Sequence, residues 1–313
     1  MEYRNLGNSG LKASAIGLGT NTFSKRIDEQ TSTAIINRAL ELGVNYLDTS
    51  DTYDHGGSEI IIGKALQGKR TDVILATKFA KPMGKGPNER GGSRYYIMRE
   101  VEASLRRLQT DYIDLYQMHE PSAETPIEET LRALDDLIKA GKIRYIGTSN
   151  FAAWQICEAR WTSEMNNLHS FITEQSQYNL LDRKIEEELV PLCQRYNIGI
   201  IPWAPLARGL LTGKYHKGEQ GLSEWRLVKE VGKQGNLFSD DNWNKLARFG
   251  RCAADHGHTM GDLAIAWLLA KPWVATVIAG AREVEQVTAN VAAGDWKMSP
   301  DLVSEVDTIS RET

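Results

Sequence analysis

The chain has 313 residues, 41% hydrophobic and 25% charged, which is the composition of an ordinary globular protein. Its formal net charge is −4, so it lacks the basic surplus needed to neutralise a nucleic-acid backbone, and we expect no nucleic-acid partner. No apolar run approaches the roughly 20 residues of a membrane span, and the first residues lack the apolar core of a signal peptide, so we expect a cytoplasmic protein with no membrane partner.

The chain opens with two short segments of strand character, residues 3–6 and 11–14. They flank the turn sequence Gly7-Asn8-Ser9-Gly10. Apolar segments joined by such a turn predict a β-hairpin, which we expect to cover the bottom of a barrel.

Short apolar runs then recur along the chain. They are continuous rather than alternating, which is typical of parallel strands buried on both faces. The eight runs are residues 14–19, 44–48, 73–78, 113–118, 144–148, 171–175, 198–203 and 274–279. Helical stretches separate them, and two of these, residues 240–255 and 260–270, lie between the seventh and eighth runs. One helix is therefore extra to a plain succession of βα units.

Two architectures fit alternating βα units. A doubly wound sheet needs a glycine-rich nucleotide fingerprint, but Gly17-x-Gly19 is followed by Thr22 where the third glycine belongs. We therefore predict one domain over residues 1–313, a (β/α)8 TIM barrel with an N-terminal hairpin. Long loops at its C-terminal face are predicted at residues 80–93 and 207–238.

Ionisable residues stand where the second, third and fourth barrel strands end. They are Asp48, Tyr53, Lys78 and His119. Each alone also fits a structural role, such as a turn cap, a solvated strand end or a buried histidine. Reactive groups of α/β barrels lie at the carboxyl ends of the strands, and their placement on one rim therefore favours a catalytic site.

These residue types suit acid catalysis at a carbonyl group. Tyr53 would donate the proton, and the Lys78 ammonium would lower its pKa. Asp48 would hold Lys78 charged, and His119 would orient the carbonyl. No side chain supplies a hydride, so reduction of an aldehyde or ketone requires a cofactor. A lyase that uses Lys78 to form a Schiff base remains an alternative.

Longer motifs surround these positions. They are LDTSDTY at residues 47–53, ATKF at 76–79, DYIDLY at 111–116 with Met118-His119, GTSN at 147–150 and WAPLARGLLTGKY at 203–215. Together they resemble the aldo-keto reductase superfamily, in its branch close to potassium-channel β subunits. The resemblance implies a (β/α)8 barrel, NADP(H) bound without a Rossmann fold, and a tetrad of Asp48, Tyr53, Lys78 and His119. It also leaves open a redox-sensing regulatory subunit that binds NADPH.

The resemblance further implies three groups of cofactor contacts. Around the nicotinamide and its ribose they are Gly19, Thr20, Asn21, Arg26, Asp48, Ser149, Asn150, Gln175 and Trp203, with Trp203 as the stacking aromatic. On the loops that cover the pyrophosphate they are Ala204, Pro205, Leu206, Ala207, Arg208, Lys214 and Arg226. At the adenosine end they are Gly280, Arg282, Gln286 and Asn290.

Arg282 precedes the helix after the eighth strand, where barrels commonly bind phosphate. An arginine there favours the 2′-phosphate of NADP(H) over NAD(H). Ala289 departs from the family, because many relatives carry an acidic residue at this position. His256 and His258 lack a carboxylate pattern that completes a zinc site, so we expect no metal.

Specificity is expected to lie in loops, chiefly residues 80–95 and 207–243. Their charged residues, Glu89, Arg90, Arg94 and Arg226, suggest a hydroxylated or anionic carbonyl such as a sugar aldehyde. The sequence leaves the oligomeric state open.

Overall fold

The first two strands form the predicted hairpin. In this computed structural model, which describes residues 1–217 and 237–312, β1 (Tyr3–Asn5) pairs antiparallel with β2 (Lys12–Ser14). The side chains of Leu6 and Ala13 are fully buried in one apolar cluster with inward-facing barrel residues. The hairpin therefore closes the bottom of the barrel, as the sequence predicts.

Eight parallel strands form the barrel in the described part of the chain. They are β3 (Ile16–Gly19), β4 (Tyr46–Asp48), β5 (Ile74–Phe79), β6 (Ile113–Met118), β7 (Ile143–Ser149), β8 (Thr173–Gln177), β9 (Gly199–Trp203) and β10 (Val277–Gly280). Their order is β10-β3-β4-β5-β6-β7-β8-β9. A parallel bridge between Ile200 and Val274 joins the two ends, and the Ala275 amide donates to the Ile200 carbonyl at 2.9 Å. The (β/α)8 prediction is confirmed.

Helices cover the outside of the barrel. They are α1 (Glu29–Glu41), α2 (Gly57–Ala65), α3 (Arg94–Leu108), α4 (Ile127–Lys139), α5 (Ala153–Met165), α6 (Leu189–Tyr196), α7 (Asp240–Asp255), α8 (Met260–Leu269), α9 (Val284–Ala293) and α10 (Pro300–Arg311). Within residues 1–217 and 237–312, no helix has the length and hydropathy to cross a bilayer.

The extra helix between the last two barrel strands is α7. Helix α8 is buried nearly all round, from Leu263 to Leu269, because it lies between the barrel and other helices. Helix α7 packs outside it, against α8 and α10. Within the loop predicted at 207–238, Ala207–Thr212 forms a 3₁₀ turn, and residues 218–236 lie outside the described part of the chain.

Strand alternation divides the core into an inner and an outer layer. Tyr46 and Ala76 belong to the inner cluster, whereas Leu47 and Leu75 pack outward against the helices. Both faces of the strands are thus buried, which explains why the sequence runs are continuously apolar.

The hairpin turn offers a test of the closed barrel bottom. Gly7 has φ +57°, and a Cβ there would overlap the Ile172 carbonyl oxygen and lie 2.9 Å from that of Asn197. Gly7→Ala should therefore lower the free energy of unfolding by at least about 2 kcal/mol, measured by urea denaturation. Gly10→Ala is the matched control, because no heavy atom lies within 4 Å of its added Cβ. Equal losses for the two variants would contradict this account.

Candidate active site

Strand alternation carries four polar side chains into the barrel at its carboxyl end. Asp48 on β4 lies two residues after inward-facing Tyr46, and Lys78 on β5 lies two residues after inward-facing Ala76. Successive side chains of a strand point to opposite faces, so Asp48 and Lys78 also face inward. Gln117 on β6 and Gln175 on β8 join them through hydrogen bonds.

The four predicted catalytic residues lie together. Lys78 Nζ donates to Asp48 Oδ1 at 2.5 Å and to the Thr49 carbonyl at 2.8 Å. It lies 5.2 Å from the centre of the Tyr53 ring. The Tyr53 and His119 rings meet edge to face, with centroids 6.0 Å apart.

The turn after β4 places Tyr53. The Tyr53 amide donates to the Ser50 carbonyl, and the Ser58 amide at the start of α2 donates back to the Tyr53 carbonyl. Asp54 and His55 both have φ +51°, a left-handed conformation that non-glycine residues rarely adopt. Tyr53 is therefore held at the rim between a strand end and a helix start.

Sequence reasoning missed Gln117. Its amide donates to Asp48 Oδ2 at 3.2 Å, and the Gln175 amide donates to the same oxygen at 2.8 Å. Gln117 lies two residues before His119, so the alternation of β6 was the available signal.

Lys78 remains charged at neutral pH. Burial alone would lower its pKa, but Asp48 and Tyr53 together raise the pKa above the usual value. A Schiff-base nucleophile must be a neutral amine. The charge state of Lys78 thus argues against the lyase alternative.

Tyr53 departs from the expectation in its net pKa. Lys78 does act to lower the pKa of Tyr53, as expected, but burial is the larger cause and Asp48 adds to it, so the pKa lies above the usual value. The expected net lowering is wrong, because the sequence does not reveal how strongly the phenol is desolvated. Tyr53 is a neutral phenol at physiological pH and holds a proton to donate.

His119 is neutral. Burial, followed by the charges of Lys78 and Lys81, lowers the pKa of His119 well below its usual value. Its Nδ1 lies 3.0 Å from Ser50 Oγ. This leaves Nε2, on the far edge of the ring, as the nitrogen that can contact a substrate.

The residues expected around a nicotinamide also gather here. Asn150 Nδ2 donates to the His119 carbonyl and to Ser149 Oγ, both at 3.0 Å. Its Oδ1 accepts from Trp203 Nε1 at 3.1 Å. The Thr20 amide and hydroxyl both donate to the Asp48 carbonyl. One set of bonds thus links the ends of β6, β7 and β9, and a second links the ends of β3 and β4.

The segment after β9 is strained. Ala204, Ala207 and Arg208 have φ of +51°, +47° and +58°, in the part of the chain expected to cover a pyrophosphate. Arg208 lies over the Trp203 ring at 5.8 Å. Such conformations persist only where surrounding structure imposes them, and they concentrate at binding sites.

Pro205 is buried, Leu206 is half-buried, and Lys214 is exposed with its Nζ 5.0 Å from the Tyr215 ring.

A second group of predicted cofactor residues lies where β3 meets β10. Gly19 pairs with Gly280, and exposed Asn21 follows on the first loop. The Gln286 side chain on α9 accepts from the Arg282 amide at 3.0 Å. Asn290, also on α9, is half-buried. Arg226 lies outside the described residues.

Arg26, which is expected near the nicotinamide ribose, lies on the loop after β3. Burial and, second, the charge of Arg282 lower the pKa of Arg26. Both arginines are exposed. The Thr22 hydroxyl donates to the Ala281 carbonyl at 3.2 Å, so the loop that carries Arg26 contacts the segment that leads into Arg282.

The charged residues of the 80–93 loop and α3 have protein partners. Arg90 pairs with Glu124 at 3.1 Å, and Arg94 pairs with Asp136 at 2.6 Å. Glu89 accepts from the Gly86 amide of its own loop. Arg90 and Arg94 thus lie in exposed ion pairs at the edge of this loop.

The model of the aldo/keto reductase family matches residues 15–311. The chain belongs to the aldo/keto reductase family.

Relatives in plants and bacteria resemble this aldo/keto reductase over almost its whole length. A rice protein (Oryza sativa subsp. japonica) named probable voltage-gated potassium channel subunit beta is 37% identical over 99% of this chain and 96% of its own. An Arabidopsis thaliana protein of the same name is 38% identical over 94% and 92%. The uncharacterized oxidoreductase YrpG of Bacillus subtilis strain 168 is 37% identical over 97% and 94%. The family and this relative support a general oxidoreductase role.

A buried carboxyl supports the loop after β7 of this aldo/keto reductase. Glu174 Oε1 accepts from the Phe151 amide at 3.3 Å and from Ser176 Oγ at 2.7 Å, directly behind Asn150. Burial raises the pKa of Glu174 to about 7, although hydrogen bonds from Thr148 and Ser176 act to lower it. The carboxyl is thus largely protonated in the folded protein below neutral pH.

Glu174 should make stability depend on pH. Between pH 4.5 and about 7 the unfolded chain releases this proton while the folded protein keeps it, so stability falls as pH rises. The difference in pKa corresponds to about 3 kcal/mol over this window. Urea denaturation at a series of pH values should show a smaller fall for Glu174→Gln than for wild type. Glu187→Gln, at an exposed position, is the control and should keep the wild-type slope. An unchanged slope in Glu174→Gln would contradict the buried protonated carboxyl.

Proposed function

We propose that the protein is an NADP(H)-dependent aldo-keto reductase that reduces an aldehyde or ketone to an alcohol, with Tyr53 as general acid. The observation that carries this proposal is the buried Lys78 ammonium, which pairs with Asp48 at 2.5 Å and lies 5.2 Å from the centre of the Tyr53 ring. This arrangement joins a proton donor to a fixed positive charge at the rim of the barrel.

Each residue of the tetrad has a distinct role. Tyr53 donates its proton to the carbonyl oxygen, and Lys78 stabilises the phenolate that remains. Asp48 keeps Lys78 charged and in place. His119, neutral because of its burial, donates a hydrogen bond that orients the carbonyl. Bound NADPH supplies the hydride.

The donor sets fit a nicotinamide dinucleotide. Asn150 and Gln175 present amides beside the tetrad, and Trp203 offers an aromatic face held by its bond to Asn150. Arg26 and Arg282, on two loops that contact each other, would bring two positive charges to the adenosine end of the proposed site. A second phosphate on the adenosine ribose suits that pair better than a hydroxyl does, which favours NADP(H) over NAD(H).

The names of the two plant relatives favour a second candidate, a regulatory channel subunit that binds the same cofactor. The tetrad is complete in this chain, which supports turnover. A panel of aldehydes and ketones with NADPH, followed by the loss of nicotinamide absorbance, separates the two. Cofactor binding without oxidation of NADPH by any member would favour the regulatory candidate.

Tyr53→Phe should reduce carbonyl turnover by about 10²–10⁴-fold, because it removes only the transferable proton. Cofactor affinity, measured by quenching of tryptophan fluorescence, should stay near the wild-type value. Tyr95→Phe changes an exposed tyrosine on α3, 64% accessible, and serves as the control with unchanged turnover. More than a tenth of wild-type turnover in Tyr53→Phe would overturn the assignment.

Arg282→Ala tests the choice of cofactor. A charge-assisted hydrogen bond contributes about 1.5–3 kcal/mol, so NADPH binding should weaken by roughly 10- to 100-fold. NADH affinity should barely change, since NADH has a hydroxyl at that position. Arg132→Ala, on the exposed face of α4, should alter neither affinity. Equal losses for both dinucleotides would remove the reason for assigning NADP(H).

A further inference from the structure

Ser50 and Asp51 form a buried connection to His119 that the roles above do not use. Both side chains have no exposed surface. Ser50 Oγ lies 3.0 Å from His119 Nδ1 and 2.9 Å from Asp51 Oδ1. Asp51 Oδ1 also accepts from the Thr52 amide at 2.6 Å. A continuous chain of hydrogen bonds therefore runs from Asp51 through Ser50 to His119.

The direction of this chain follows from counting hydrogens. The hydroxyl of Ser50 has a single hydrogen for its contacts with Asp51 and His119, because the Thr52 amide donates to Ser50 Oγ at 3.3 Å and the Thr52 hydroxyl, 3.0 Å away, has a hydrogen of its own. If Ser50 donates to Asp51, His119 must donate from Nδ1, and Nε2 is left without a hydrogen. If Ser50 donates to Nδ1, then Nε2 carries the hydrogen, and Asp51 must supply the one between its Oδ1 and Ser50 Oγ. A neutral histidine with Nδ1 bound can donate to a carbonyl only in the second arrangement.

We propose that Ser50 and Asp51 are positioning residues that set the tautomer of His119. Asp51, as a carboxylic acid, donates to Ser50, and Ser50 donates to His119 Nδ1, which keeps the hydrogen on Nε2 toward the substrate carbonyl. The inference rests on the proposed reductase function, in which His119 orients that carbonyl.

The surroundings of Asp51 favour the acid form. Glu59 on α2 and Glu100 on α3 share Arg107, at 2.6 and 2.5 Å. Asp51 instead contacts Ser50, Thr52 and, at 3.5 Å, the Tyr96 hydroxyl.

Three causes raise the pKa of Asp51 well above its usual value: burial first, followed by the charges of Glu59 and Glu100. Hydrogen bonds from Ser50 and the Thr52 amide act in the opposite direction, as does the positive charge of nearby Lys81. The net direction leaves a hydrogen on Asp51 at neutral pH, and this is the hydrogen that the second arrangement requires.

Asp51→Asn separates the two arrangements with little change in shape. The amide oxygen accepts from the Thr52 amide and from Ser50 but carries no hydrogen. If the side-chain amide were rotated by 180°, its nitrogen would lie opposite the Thr52 N–H, and two hydrogen-bond donors would face each other. Ser50 must then donate to the new side chain, and His119 is driven to the form with its hydrogen on Nδ1.

The tautomer is observed directly by long-range ¹H–¹⁵N NMR of histidine-labelled protein saturated with NADPH. His119→Asn assigns the signal among the six histidines. Wild type should show the hydrogen on Nε2, and Asp51→Asn should show it on Nδ1. Asp72→Asn changes an exposed aspartate and should leave the wild-type spectrum. A wild-type hydrogen on Nδ1, or an unchanged tautomer in Asp51→Asn, would overturn the proposal.

Steady-state kinetics provide a second measurement, and Ser50→Ala provides a second variant. Asp51→Asn and Ser50→Ala should each lower kcat by about 3- to 10-fold, the worth of one hydrogen bond, with unchanged NADPH affinity. The double variant should lose no more than either single one, because both break the same chain. Multiplying losses would contradict the connection. The NMR measurement does not depend on turnover. An error in the role of Tyr53 would therefore appear in the kinetics of Tyr53→Phe, whereas an error in the tautomer of His119 would appear in the NMR spectrum.

Discussion

The ion pair between Lys78 and Asp48 is the interaction around which the barrel rim is organised. Removing two charges from water costs several kcal/mol for each ion, and their mutual attraction offsets this only when further hydrogen bonds satisfy both groups. Those bonds come from four strands: Asp48 and its neighbour Thr49 on and after β4, Lys78 on β5, Gln117 on β6 and Gln175 on β8. The hydrogen bonds of the ion pair are therefore complete only when these four strands are assembled.

The same arrangement gives neighbouring groups different protonation. The positive charge of Lys78 acts to lower the pKa values of both Tyr53 and His119, but burial opposes it at the phenol and reinforces it at the imidazole. One cation thus sits between a neutral acid and a neutral hydrogen-bonding ring. The differing outcomes follow from the chemistry of the two groups, since burial favours whichever form carries no charge.

Residues at strand ends were predictable from the sequence, because the apolar runs mark where each strand ends and the two-residue alternation indicates which side chains face inward. The eight strands, the hairpin and the grouping of Asp48, Lys78 and His119 follow from those patterns. The contact between the loops that carry Arg26 and Arg282 was not predictable, because loop conformations decide it. Gln117 was missed although the alternation of β6 places it on the same face as His119, whereas Asp51 lies in a turn, where no periodic pattern indicates which side chains are buried.

The barrel joins its first and last strands, and this has a consequence for how the chain acquires its binding surface. Thr22 after β3 bonds to Ala281 after β10, although 259 residues separate them. The surface between Arg26 and Arg282 is therefore absent until synthesis of the chain has passed β10 and the ring has closed. A ligand that spans this junction binds only the closed ring and shifts the equilibrium toward it in proportion to its occupancy. At this junction, closure of the barrel and binding of the ligand are therefore linked in one equilibrium.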